Sequence, residues 1–172
     1  MRKSELVMLF SYNAWANNRV MAAVTRLNPD QFTAPNPCSG YGSIRGILVH
    51  ILTAELVWRE RFKKTQVEDF FLDPEIFPTL ETLLYRWQKE EIVLQNFIED
   101  LSDDSLDDTL TYFNRRGESF ENICWNILVH VINHGTQHRS EVATILTGYG
   151  VSPGDLDLIH FLRTSSITKE GS

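Results

Sequence analysis

Cysteine is nearly absent from this chain of 172 residues, which carries only Cys38 and Cys124. Two cysteines cannot make the stapled framework of a small secreted domain, so a hydrophobic core must hold the fold. Both read as free thiols of a reducing, cytoplasmic compartment, with a single bridge as the alternative. Basic charge is also short. The formal net charge is −7, which speaks against nucleic acid or an anionic membrane as the main partner, because both require a basic surface. No apolar run approaches the roughly 20 residues that span a bilayer. Met1-Arg-Lys, LVMLF and Ala14-Trp15-Ala16 resemble a secretory leader, yet the apolar run is short. A helical pattern also continues through Asn13, Asn17 and Asn18, so the expectation is an uncleaved N-terminus. Internal repeats are lacking, and residues 165–172 form the one biased stretch, a polar tail.

What is present is an ordinary globular composition, 42% hydrophobic and 23% charged, enough for a single domain over residues 1–164. The most informative stretch is residues 122–146, NICWNILVHVINHGTQHRSEVATIL. Ile123, Ile127 and Ile145 recur at helical spacing, and His130, His134, His138 and Glu141 share their stripe. Three imidazoles and a carboxylate on a core-facing seam are costly unless they pair or bind something. A divalent metal is economical for His134 and His138, because residues four apart on a helix project side by side. Gly135 follows the first histidine, so the general base of a His-Glu-x-x-His protease helix is missing.

A third ligand has to come from elsewhere. Residues 3–26 read as a first helix, with Leu6, Phe10, Ala14, Met21 and Val24 on its inner face. Asn13 and Asn17 sit on or beside that face, either satisfying buried groups or lining a polar pocket. Residues 28–42 are rich in proline and glycine and read as a loop with one helical turn near residues 30–32. Ser43 caps a second helix to about Lys63, whose inward stripe is Ile47, His50, Ala54, Val57, Trp58 and Arg61. His50 is the candidate third ligand and Trp58 a candidate pocket wall; Glu55 points away from His50.

Residues 65–78 read as a connection whose aromatics Phe70, Phe71 and Phe77 cover a core edge. Thr79 caps a third helix carrying Leu80, Leu83, Leu84, Trp87, Leu94, Ile98 and Leu101, with Glu90 and Glu91 outside the stripe and no chemistry expected. Residues 102–108 read as an acidic, solvated loop without the spacing of a calcium site. A short β-hairpin follows, with strands 109–113 and 118–120 around the turn 114–117, and Ser119 reads as the cap of the long fourth helix. Residues 155–163 make a last short helix; His160 is read as structural or exposed.

The expected fold is therefore all-α: a four-helix bundle with a short β-hairpin before the last long helix and a short C-terminal helix. Bundle cores build metal sites from facing helices. His50, His134 and His138 can converge, leaving open positions of the catalytic type. His130 is read as packing or support, and Cys124, about 15 Å along the helix from His134, is no ligand. An apolar surface around LVHVI, with Ile132 directed away from the triad, makes a homodimer the expected assembly.

Several segments together resemble one family. LFSYNAWANNRVM, IRGILVHILTAELVWRERF, NILVHVINHGTQHRSEVATIL, Gly150 and DLDLIHFL are similar to the DinB-like (DinB/YfiT) superfamily of bacterial metal-binding bundles. The most specific piece is His-Val-x-Asn-His-x-x-x-His-Arg, here residues 130–139. The resemblance implies a metal held by one histidine of the second helix and two of the last long helix, matching His50, His134 and His138. The expected ion is zinc or nickel, though imidazole suits copper and iron as well, and the resemblance further implies a metal-dependent transfer onto a small thiol of the bacillithiol type. The alternatives are a metal-dependent hydrolase and a non-enzymatic, stress-related metal-binding protein. The family commonly continues His-Arg-Gly-Gln, whereas this chain has Ser140-Glu141. Glu141 can orient a ligand histidine, accept a proton as a weak catalytic candidate, or pair with Arg45 or Arg61, the last being the favoured reading.

Overall fold

The computed structural model describes residues 1–37, 39–63 and 70–167, with side chains described through residue 164. Cys38, residues 64–69 and residues 168–172 lie outside the described residues. Four long helices build the molecule: α1 (Lys3–Val24), α3 (Ile44–Phe62), α4 (Leu80–Asp100) and α6 (Cys124–Gly148). Short elements lie between them and at the end: α2 (Pro29–Thr33), α5 (Asp103–Asp107), the hairpin β1 (Thr109–Phe113) and β2 (Ser119–Ile123), and α7 (Leu158–Ile167). A four-helix bundle with a hairpin before the last long helix, as expected, is what the chain forms.

Local chemistry sets most of the boundaries. Asn28 caps α2 through Gln31 N–H, Ser43 caps α3 through Gly46 N–H, and Thr79 caps α4 through Thr82 N–H. Gly117, at φ 77°, closes the hairpin turn in the left-handed region that favours glycine. Ser119 is not the cap of α6; it pairs with Phe113 in the antiparallel ladder, and α6 starts directly from Ile123 without a side-chain cap. Residues 102–108 are not an open loop either. Ser102 caps α5, and Leu106 drives it inward with no exposed surface. The tail boundary moves as well, since α7 continues through residues 165–167.

Helices α1 and α3 each pack against both α4 and α6, so they face one another across the bundle. Two apolar clusters fill its ends. One gathers Val24, Ile47, Ile51, Leu83, Val142 and Leu146; the other gathers Leu6, Phe10, Ile98, Leu106, Leu128 and Ile132. Ile132 is thus covered by the chain's own core, which removes the reason for expecting a homodimer. A polar layer separates the clusters. Arg139 Nη1 donates to Asn13 Oδ1 (2.6 Å) and Asn17 Oδ1 (2.9 Å), and both amides donate onward to Glu55 Oε1, at 2.7 and 3.2 Å. Arg59 bonds Glu90 through Nε (2.5 Å) and Nη2 (2.9 Å). Glu90, placed outside the apolar stripe by periodicity, is buried by that pairing.

Candidate metal centre

The polar layer fixes how α6 sits on α3. Gly135 is needed there, because a Cβ would come within 2.7 Å of Arg139 Nη1 and 3.0 Å of Asn13 Oδ1. With Arg139 locked to α1, the neighbouring stripe of α6 turns His134 and His138 toward α3. There His50 meets them, and the ligating atoms of His50, His134 and His138 lie within 4.8 Å of one another. The Nε2 atoms of His50 and His134 are 2.8 Å apart. His134 and His138 also keep buried Nδ1 atoms with no hydrogen-bond partner among the described residues.

Burial holds two of these rings, His50 and His134, neutral. Burial, followed by the His138 ring, pulls the pKa of His50 down to about 4. Burial, then His50, His138, His130 and Arg139, pulls His134 down to about 3. Neutral imidazole is the form that ligates a metal. The donor set also fits one: three imidazoles from two adjacent helices, with ligating atoms within 4.8 Å of one another and two buried ring nitrogens left without a partner among the described residues, are the ligands of a tri-histidine centre.

Around the triad, Glu141 Oε1 lies 3.1 Å from His138 Nδ1, short of hydrogen-bond alignment but within reach of it. Its expected pairing with Arg45 is not formed, since Arg45 pairs with Glu75. Arg61 instead lies over the rings of Trp58 and Tyr112 at 4.4 and 5.1 Å. Tyr41, which sequence reasoning missed, stacks on His50 at 3.9 Å between ring centroids and meets His138 edge-on at 5.2 Å. Its phenol is pushed up by burial and by the Glu141 charge. Nothing periodic marks Tyr41 in its Pro- and Gly-rich loop, but Gly46 is a usable signal. A Cβ there would stand 1.9 Å from the Tyr41 carbonyl oxygen, so glycine is what lets this loop lie on α3.

On the other side the triad opens into a cavity of about 410 Å³, lined by His50, Thr53, Val57, Trp58, His130 and His134 with Phe71 and the hairpin tip. Trp58 is therefore a wall of the cavity. Asn13 and Asn17, the other pocket candidates, lie behind it in the polar layer. His130 packs edge-on against Trp58 rather than joining the triad. Cys124 is buried and free, outside the cluster. His160 stacks near Trp15 and reaches Asp155, away from the site.

The model of the DinB family matches residues 1–170. Protein DinB of Bacillus subtilis (strain 168) is 26% identical over 165 residues, covering 90% of this chain and 92% of that protein. Among solved structures, the colibactin self-resistance protein ClbS, crystallised in complex with double-stranded DNA, superposes with a TM-score of 0.62. That likeness is one of fold: it covers 84% of this chain and 95% of the other at 14% identity. The exclusion of nucleic acid from a net charge of −7 does not survive it, because a protein of this fold is held on DNA. The physical error lies in averaging, since net charge says little about local potential. Here Arg61, Arg115 and Arg116 line one cavity of an acidic chain. Among the described residues no helix is long and apolar enough to cross a membrane.

Proposed function

Because this chain belongs to the DinB family, we propose that it binds one divalent metal ion, zinc or nickel, through His50, His134 and His138 and uses it in a transfer onto a small thiol. The observation that carries this reading is the convergence of three imidazoles, two of which, His50 and His134, line a cavity large enough for a small molecule. An ion held there supplies Lewis acidity, which lowers the pKa of a thiol at neutral pH.

The protein's own groups have separable tasks. His50 and His134 present unprotonated nitrogens, kept so by burial. Glu141 stands 3.1 Å from His138 Nδ1, the place from which a carboxylate orients a ligand ring. Tyr41 covers the imidazoles from the side away from the cavity lining. Val57 and Trp58 give an apolar wall that limits water near the reacting groups. A cytoplasmic setting, where small thiols stay reduced, goes with this chemistry.

Elemental analysis of the purified protein tests the centre. About one zinc or nickel per chain is expected, lost in His50→Ala/His134→Ala. Retained stoichiometric metal in that variant refutes the ligand set. For the reaction, thiol-dependent consumption of an electrophile that is abolished by a chelator is expected. Turnover of an ester or amide without added thiol would identify hydrolysis instead. A second reading, contact with duplex DNA, rests on the DNA-bound neighbour and on the arginines at the cavity; a mobility shift with a short duplex at physiological salt tests it.

A further inference from the structure

The cavity that reaches the histidines is not uniformly apolar. Beside His50 and His134 it is lined by Thr53 and Arg61 from α3 and by Asn114, Arg115 and Arg116 from the hairpin turn. Among the described residues, none of these three arginines is paired with a carboxylate. In a chain of net charge −7, three arginines around one cavity, with no carboxylate partner among the described residues, run against the average. Arg61 is the most telling. Its guanidinium is packed on two aromatic rings, its Nη2 donates to the Phe113 carbonyl (3.1 Å), and its Nε is shut off from solvent with no partner among the described residues. Thr53, only 7% exposed, likewise has a buried hydroxyl oxygen with no partner, between His50 and Arg61 on the same helix.

The hairpin presents its arginines on a preset turn. The Asn114 side chain accepts from Arg116 N–H (2.9 Å) and Glu118 N–H (3.0 Å), and its amide donates to Glu118 Oε2 (2.6 Å). The Glu118 carboxylate is thus engaged by Asn114. Arg115 lies over Phe71 at 3.6 Å, and both line the cavity.

We infer that this arc of Arg61, Arg115 and Arg116, with Thr53, is a binding site for the oxyanion, carboxylate or phosphate, of a small-molecule substrate whose reactive end lies at the histidines. Guanidinium forks match such anions bidentately. The span suits an elongated ligand: His50 and Arg61 are about 16 Å apart along the helix axis, and the arginine side chain covers part of that distance. The volume of about 410 Å³ is of the size that small molecules occupy. The inference deepens the proposed function and rests on it for the reactive end only.

Calorimetric titration of the full-length protein with succinate, with inorganic phosphate and with a short DNA duplex tests this, each beside a separate zinc titration. Succinate or phosphate should bind the wild type, weaken as salt rises, and lose at least tenfold in affinity in Arg115→Gln/Arg116→Gln. Zinc stoichiometry should be unchanged in that variant, and Lys89→Gln, a surface lysine on Tyr85, should bind the anion as the wild type does. Equal anion affinity in the double variant, or no anion binding by the wild type, overturns the inference. So does binding of the duplex alone, which would assign the arginines to a nucleic-acid backbone. Anion binding without zinc binding would refute the metal reading and leave the anion site standing.

Discussion

His50 and His134 are imidazoles kept neutral by their surroundings, and their neutrality has a price in acid. An imidazole whose pKa falls from 6.5 to about 4 or about 3 on folding takes up fewer protons than the unfolded chain across that interval. Its contribution to stability is complete above 6.5 and disappears as the pH drops toward those values. Glu55 has the opposite sign. Burial, offset in part by Asn13, Asn17 and Arg139, raises it to about 7, so its contribution is complete below 4.5 and is lost as the pH rises through about 7. Urea unfolding of the metal-free protein should therefore show midpoints that fall below pH 6.5, and a separate loss toward pH 7 and above that is absent in Glu55→Gln. A profile in Glu55→Gln identical to the wild type would mean that Glu55 is charged throughout. Buried charges of this kind show poorly in a sequence. From the sequence Glu90 reads as lying outside the apolar stripe and Glu55 as pointing away from His50; Arg59 and the Asn13–Asn17–Arg139 bridge that meet them are on other helices.

At the scale of the element, Gly46 and the loop before it decide how well the histidines are covered. An alanine at Gly46 would press its methyl against the Tyr41 carbonyl, a backbone atom that cannot swing aside. Gly46→Ala should destabilise by about 1–3 kcal/mol and speed metal release to a chelator as Tyr41 leaves His50. Gly40→Ala, where a Cβ meets nothing within 4 Å, is the matched control; equal release rates in the two variants would separate Tyr41 from the site. The helices themselves were legible, because Leu83, Trp87, Leu94 and Ile98 repeat at the helical period and Ser43 and Thr79 carry capping chemistry. His50, His134 and His138 were legible for the same reason: polar residues interrupted an apolar stripe. Tyr41, Thr53 and the hairpin arginines were not. Their roles depend on which loop lies against which helix, and no local period encodes that.

For the molecule as a whole, the triad ties α3 to α6, two helices that meet along the same side of the bundle. An ion bound only by the folded chain stabilises it by mass action, about 2.7 kcal/mol at a free concentration one hundred times Kd. Zinc should raise the urea midpoint of the wild type and leave that of His50→Ala/His134→Ala unmoved. An equal rise in both would place the zinc elsewhere. The apolar clusters at the two ends do not depend on the ion, so the bundle is expected to remain folded under a chelator.

The hairpin and α6 are one uninterrupted piece: Ile123 ends the strand, Cys124 begins the helix, and Cys124 N–H still bonds the Asp108 carbonyl at 2.9 Å. The loop tip that carries Arg115 and Arg116 is therefore built onto the same rigid arm as His134 and His138, while contributing nothing to the bundle's interior. Such an arrangement makes the tip interchangeable. Residues 114–117 could be replaced by the corresponding turn of another bundle to retarget what enters the cavity, with the histidines left where they are.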